Sequence, residues 1–300
     1  MELIDGRFSG TEGRAAARVL RVLALLAAMV CASPLLASQK KPVTVIFETQ
    51  SGRQMEVWVD GRRLGSTPLR HALMPGNYYL SAGGEGVVPI LREFVVFSHG
   101  DKQTLGIKDE PLTSKNYFPA VGVLAEARGE RPDNVHLEVL ALSMVFEEEK
   151  FDTLLGRLPE SVREGDPMVL YLRARRELED RKDPTQALHL TNRAIKGDET
   201  FAPAYRLKAK LMLEMAGPEE ARKAAERAAL LDPRNPESYV LRGKASVELE
   251  EEAYARLDFE HALRLRPGYA EAEAALEALD GRGAAAADEA SSRTLEAGRP

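Results

Sequence analysis

The chain has 300 residues, 44% of them apolar and 29% charged, with a net charge of −6. This length exceeds the usual ~100 to 200 residues per domain, so two domains, or one domain and an array, are expected. The acidic balance excludes a basic nucleic-acid footprint, and the single cysteine, Cys31, excludes an intramolecular disulfide.

Arg14, Arg18 and Arg21 precede an uncharged apolar run from Val22 to Val30, and Pro34 to Ala37 follow. A basic segment, a short apolar segment, a helix breaker and a small residue are the order of a secretory signal. Residues 1–37 are therefore expected to be a signal peptide cut after Ala37. The stretch from Val22 to Ala37 contains a proline and falls short of the ~20 residues that span a bilayer. Two other readings stay open: a retained inner-membrane anchor through residues 22–37, and lipid modification of Cys31, where Val30 replaces the small residue that a bacterial lipobox wants. All three export the rest of the chain, to the periplasm or the cell envelope.

Residues 38–112 read as short strands. Val43 to Phe47 is β-branched and aromatic, and Met55 to Asp60 alternates so that Met55, Val57 and Val59 share one face. Asp60-Gly61 is a hairpin turn, in which Asp60 is expected to bond to the backbone two residues on. Further strands are expected over 77–82, 91–97 and 103–107, separated by turns at Pro75-Gly76, Gly83-Gly84 and His99-Gly100. The spacing predicts a small all-β sandwich.

The same residues resemble the PEGA domain of bacterial and archaeal envelope proteins. Val57, Val59, Asp60 and Gly61 match its Val-x-Val-Asp-Gly strand end. Gly65, Thr67, Pro68 and Leu69 match its Gly-x-Thr-Pro-Leu, and Pro75, Gly76 and Tyr78 match its Pro-Gly-x-Tyr. Ser51 to Gln54 and the region of Gly86-Val87 depart from the pattern. The resemblance implies a β-sandwich that serves as a docking or spacer module.

Residues 113–134 contain Pro119, Gly122, Gly129 and Pro132 without a clean period, and read as a linker with one short element over 121–128. Residues 135–165 read as a degenerate capping helical hairpin.

At a lag of 34, Tyr171, Tyr205 and Tyr239 recur, as do Ala187, Ala221 and Ala255, and Ala194, Ala228 and Ala262. Such a period marks stacked helical hairpins, here over 168–201, 202–235 and 236–269. First helices are expected over 168–181, 202–215 and 236–249, and second helices over 184–197, 218–231 and 252–265. The alanines sit where only a small side chain lets two helix backbones approach. Pro184 and Pro218 open second helices, where a missing N–H costs nothing. A closing helix over 269–279 and a disordered tail over 280–300 follow.

These residues resemble the tetratricopeptide repeat (TPR), most fully in the third unit with Tyr239, Gly243, Ala255, Phe259, Ala262 and Pro267. The expected fold is thus a PEGA-like β-sandwich followed by a TPR-type α-helical solenoid. The resemblance implies a concave groove lined by Val169, Leu172, Arg176 and Glu179. Pro203, Arg206, Lys210 and Leu213 follow in the second unit, and Glu237, Val240, Lys244 and Val247 in the third. Arg176, Lys210 and Lys244 would form a basic row suited to an acidic protein or peptide partner, or a solvated face neutralised by its neighbours. The asparagines that grip chaperone tails are missing from the groove positions.

His71, His99, His136, His189 and His261 show no metal-ligand spacing, and no nucleophile elbow, phosphate loop or dinucleotide fingerprint occurs. No cofactor and no enzymatic activity are expected. Two functions remain in view: an exported adaptor that binds a partner in the groove, or an envelope component anchored by the β module with the helices only stacking.

Overall fold

The computed structural model describes residues 41–84, 86–144 and 148–281. The expected signal peptide with Cys31, and the expected tail from residue 282 on, lie outside the described residues.

Seven strands come first: β1 (Val43–Thr49), β2 (Glu56–Val59), β3 (Arg62–Ser66), β4 (Leu69–Leu73), β5 (Gly76–Gly83), β6 (Ile90–Val96) and β7 (Lys102–Ile107). They form a three-stranded sheet in the order β4-β1-β7 and a four-stranded sheet in the order β3-β2-β5-β6. β1 runs antiparallel to β4 and parallel to β7. The sheets share one apolar core, in which Phe47 of the first meets Phe94 of the second edge to face at 6.0 Å. The sequence pattern gives no warning of β3 and β4, because Arg62, Arg63, Gly65, Arg70 and His71 break any apolar alternation. Asp60 and Gly61 both take positive φ, 49° and 77°, as a tight hairpin turn requires. Asp60 does not bond within its own turn as expected. Its Oδ1 accepts the Tyr79 backbone N–H at 2.8 Å, tying the hairpin to β5.

Met55, Val57 and Val59 all point into the core. Alternation then turns Glu56 and Trp58 outward, yet they are only 3% and 6% exposed. Helices cover them. The stretch expected as a linker holds a 14-residue helix, α1 (Tyr117–Glu130), and α2 (Val135–Ser143) follows. Ala120, Leu124 and Ala127 of α1 pack with Leu137, Leu140 and Ala141 of α2, and Arg128 grips Glu138 through two hydrogen bonds of 2.8 and 2.6 Å. The glycines and Pro119 hid this apolar stripe. α2 lies directly on the four-stranded sheet: a Cβ on Gly83 would stand 2.3 Å from Leu140 Cδ2.

The remaining helices are α3 (Glu148–Arg157), α4 (Glu160–Gly165), α5 (Pro167–Glu179), α6 (Pro184–Gly197), α7 (Ala202–Glu214), α8 (Pro218–Leu231), α9 (Pro236–Glu248), α10 (Glu252–Leu265) and α11 (270–281). α5 to α10 form three hairpins one repeat apart, a TPR-like solenoid. The six alanines of the two ladders are all 0% exposed, as close helix crossing demands. The period also reaches the backbone. Lys182, Ala216 and Glu250, each at the turn between two paired helices, have φ of 57°, 53° and 63°. Tyr171 meets Phe201, which directly precedes α7, edge to face at 5.6 Å.

Gly243 shows why a small residue belongs in the middle of the first helix: an added Cβ would lie 2.5 Å from the ring of Phe259, itself only 1% exposed. Gly243→Val is expected to lower the unfolding free energy by about 1–3 kcal/mol through overpacking. Gly122→Ala, in open space on α1, should raise it by about 0.5–1 kcal/mol. Urea unfolding of the two variants checks both signs.

Candidate functional site

The residues expected to line a groove separate into three groups. Val169, Leu172 and Val240 are buried in the interior clusters. The free groove wall expected there is instead core, because Val169 and Leu172 share a cluster with Val139, Phe151 and Phe201, and Val240 shares one with Ala272 of α11. Arg206 is also buried, with Nη1 3.2 Å from Asp232 and Nε 3.3 Å from Glu237.

The basic row is largely neutralised within the chain. Arg176 pairs with Asp180 at 2.6 Å and lies over the Phe151 ring, Glu179 pairs with Arg175, and Lys244 pairs with Glu271 of α11. Lys210 is exposed; burial alone would raise the Glu271 carboxyl, but Lys244, Tyr269 and, least of the three, Lys210 together hold it below its usual range.

Leu213, Lys244 and Val247 do converge. With Glu248, Phe259 and the α11 residues Ala275, Ala278 and Leu279 they line a hollow of about 280 Å³. Its floor is apolar, and Lys244 and Glu248 stand among its lining residues. The closing helix supplies one wall.

A larger cleft, about 710 Å³, opens between the β module and the turns that join successive hairpins. The β side contributes Ser51, Arg53, Gln54 and Glu56, and the helical side contributes residues of 201–206, 232–237 and 264–269. Polar contacts fix the two sides together. Gln54 donates to the Thr200 carbonyl at 2.8 Å and accepts from the Ala202 N–H at 2.9 Å, and Arg234 donates to the Ser51 carbonyl at 2.7 Å. Beside the cleft, Arg63 of β3 bridges Glu56, Nε to Oε2 at 2.7 Å, and Asp198 at 2.5 Å.

Burial raises the Glu56 carboxyl against the pull of Arg63 and Ser66. Burial likewise pushes Asp198 upward, but hydrogen bonds from Thr200 and Arg63 outweigh it and the net direction is down. Asp232 is raised, again by burial, with Arg206 opposing. One repeat apart, Asp198, Asp232 and Arg266 occupy the same turn position, so the ladder that builds the solenoid also sets charges along this edge.

Sequence reasoning reached only Pro203, Arg206 and Glu237 of the cleft lining and assigned them to the groove, because Arg53, Arg234, Arg264 and Arg266 stand outside the first helices. Among the described residues no group of three His, Cys, Asp or Glu side chains is placed to hold a metal, and no helix is long and apolar enough to cross a membrane.

No family model and no curated protein matches the chain. Solved structures similar to it are helical-repeat domains. The Arabidopsis OM64 TPR domain is 28% identical, with a TM-score of 0.36 over 38% of this chain and 93% of that one. The second TPR domain of human RPAP3, solved in complex with the HSP70 peptide SGPTIEEVD, is 27% identical with a TM-score of 0.36, over 38% of this chain and 98% of that one. Yeast Tom70 is 20% identical with a TM-score of 0.48, over 61% of this chain and 40% of that one.

Proposed function

We propose that the chain is a non-enzymatic scaffold whose helical array holds a protein or peptide partner. The observation that carries this reading is the hollow at Leu213, Lys244 and Val247, walled by α11. It offers an apolar floor for one anchoring side chain and flanking charges to orient the backbone around it, the arrangement by which a groove reads a peptide. In the same reading the β module shapes and rigidifies the first end of the array, since the outer face of its four-stranded sheet is taken up by α2. Export through residues 1–37 is part of this proposal. Its test is whether the mature chain begins at Ser38 in an envelope fraction.

A displayed peptide library selected on the full chain tests the groove. Selected peptides are expected to carry an apolar anchor and to lose about tenfold or more in affinity on Leu213→Asn/Val247→Asn, as hot-spot truncation does. Undiminished binding to that variant would sink the hollow as the partner site.

A further inference from the structure

We propose that the cleft between the β module and the inter-hairpin turns is a second binding site, for an extended acidic peptide. It is separate from the hollow at Leu213 and Val247 and shares no lining residue with it.

Five arginines line the cleft, Arg53, Arg206, Arg234, Arg264 and Arg266, against three carboxylates, Glu56, Asp232 and Glu237. The carboxylates are engaged by other arginines: Glu56 by Arg63, Glu237 by Arg206, and Asp232 by Arg206 through Oδ2, its buried Oδ1 having no hydrogen-bond partner among the described residues. The other four guanidiniums contact only neutral groups among the described residues, and the charge of Arg53 also acts on Asp232 across the cleft. Arg53 donates to the Gly86 carbonyl at 3.4 Å, Arg234 to the Ser51 carbonyl at 2.7 Å, Arg264 lies 3.3 Å from His261 Nδ1, and Arg266 lies over the Tyr269 ring at 5.4 Å. Each keeps N–H donors in a planar fork that matches a carboxylate. Arg53 comes from the β module, Arg234 and Arg266 from two successive inter-hairpin turns and Arg264 from the last turn of α10, so the row exists only when both parts of the fold are in place.

The rest of the lining narrows the ligand. Phe201, Pro203, Pro236, Leu265 and Tyr269 interleave apolar surface with the arginines. A peptide supplies both complements, carboxylates for the guanidiniums and aliphatic stems for the apolar wall. A uniformly charged phosphate backbone would leave the apolar wall unmatched and would meet Glu56, Asp232 and Glu237. The cleft volume of about 710 Å³ falls within the ~300–1,000 Å³ range of ligand clefts.

Fluorescence anisotropy of fluorescein-labelled octaglutamate with the full chain tests the site. Binding is expected to weaken about tenfold or more in Arg53→Gln/Arg264→Gln, as charge-assisted contacts are lost. It should change less than about twofold in Lys196→Gln/Lys223→Gln, which removes the same charge outside the cleft. Labelled octaglutamine should not bind. Equal weakening in both double variants, equal binding of octaglutamine, or equally strong competition by an eight-residue oligothymidylate would overturn the proposal. Hydrogen exchange on the unmodified chain gives a reading independent of variant folding. Octaglutamate should slow exchange over 51–56, 232–236 and 264–269, and slowing confined to other segments would overturn it equally.

Discussion

Arg63→Met is expected to lower the unfolding free energy by about 3 kcal/mol. This is the lower end of the ~3–5 kcal/mol range for removing one partner of a buried ion pair, since the Arg63 side chain is 21% exposed and screening reduces its share. The loss comes from the carboxylates it leaves behind. Glu56 and Asp198 side chains are only 3% and 9% exposed, and Met fills the space without supplying a donor. The sign of the pH dependence follows from the same pair. Glu56 already has a raised folded-state pKa through burial, and losing Arg63 raises it further. A carboxyl raised on folding favours the native state while protonated, so the variant's deficit should be smallest below about pH 4.5. It should grow as pH rises through the folded value. Asp198 acts in the same direction, because its net lowering depends partly on Arg63, and stability held by a lowered carboxyl is present above its unfolded value. Urea unfolding of both proteins from pH 4 to 8 measures the difference. A deficit that does not vary with pH would mean that lost packing, and not stranded charge, is the cause.

The solenoid was the most legible part of the sequence, for a physical reason. Ala187, Ala221 and Ala255 sit at helix crossings that admit no larger side chain, and a constraint repeated every 34 residues leaves a ladder that a single sequence displays. Core-facing residues of β2 were legible for a similar reason, since period-two alternation follows from the pleat. The groove was harder to read. Assigning Val169, Leu172 and Val240 to a free wall assumed an uncovered concave face, whereas neighbouring residues such as Val139 and Ala272 fill that space. Nothing local to Val169 records this. The cleft was harder still, since Arg53 and Arg264 stand more than 200 residues apart and come together only because Gln54, Arg63 and Arg234 seat the β module on the inter-hairpin turns.

That seating also explains why an outward-facing tryptophan is buried. Trp58 stacks on His136 of α2 with ring centroids 3.9 Å apart and planes within 1° of parallel, and His136 Nδ1 shares a 2.7 Å hydrogen bond with Ser81 Oγ of β5. Trp58→Ala is expected to cost about 3–5 kcal/mol, the range for truncating a large buried aromatic, and to loosen α2 from the sheet. Hydrogen exchange over 135–143 should then quicken more than exchange over the third hairpin.

His136 makes the same interface acid-sensitive. Burial, assisted by the positive charge of Arg63, holds its pKa well below 6.5. The native state therefore keeps the ring neutral at pH values where the unfolded chain binds a proton. The unfolded state binds more protons below about pH 6.5, so the stability contributed by the neutral ring is complete above that pH and falls as pH drops, by up to about 1.4 kcal/mol per unit. Glu56 opposes this nearer pH 4.5, since its raised carboxyl gains stability as it takes a proton. The clean measurement is thus the stability of the wild type relative to His136→Phe, which keeps a ring against Trp58 but cannot titrate. That difference should shift in favour of the variant between pH 6.5 and 5.5. Fluorescence of Trp58, the chain's only tryptophan, reports the transition directly, and parallel stability curves across that interval would remove His136 as its cause.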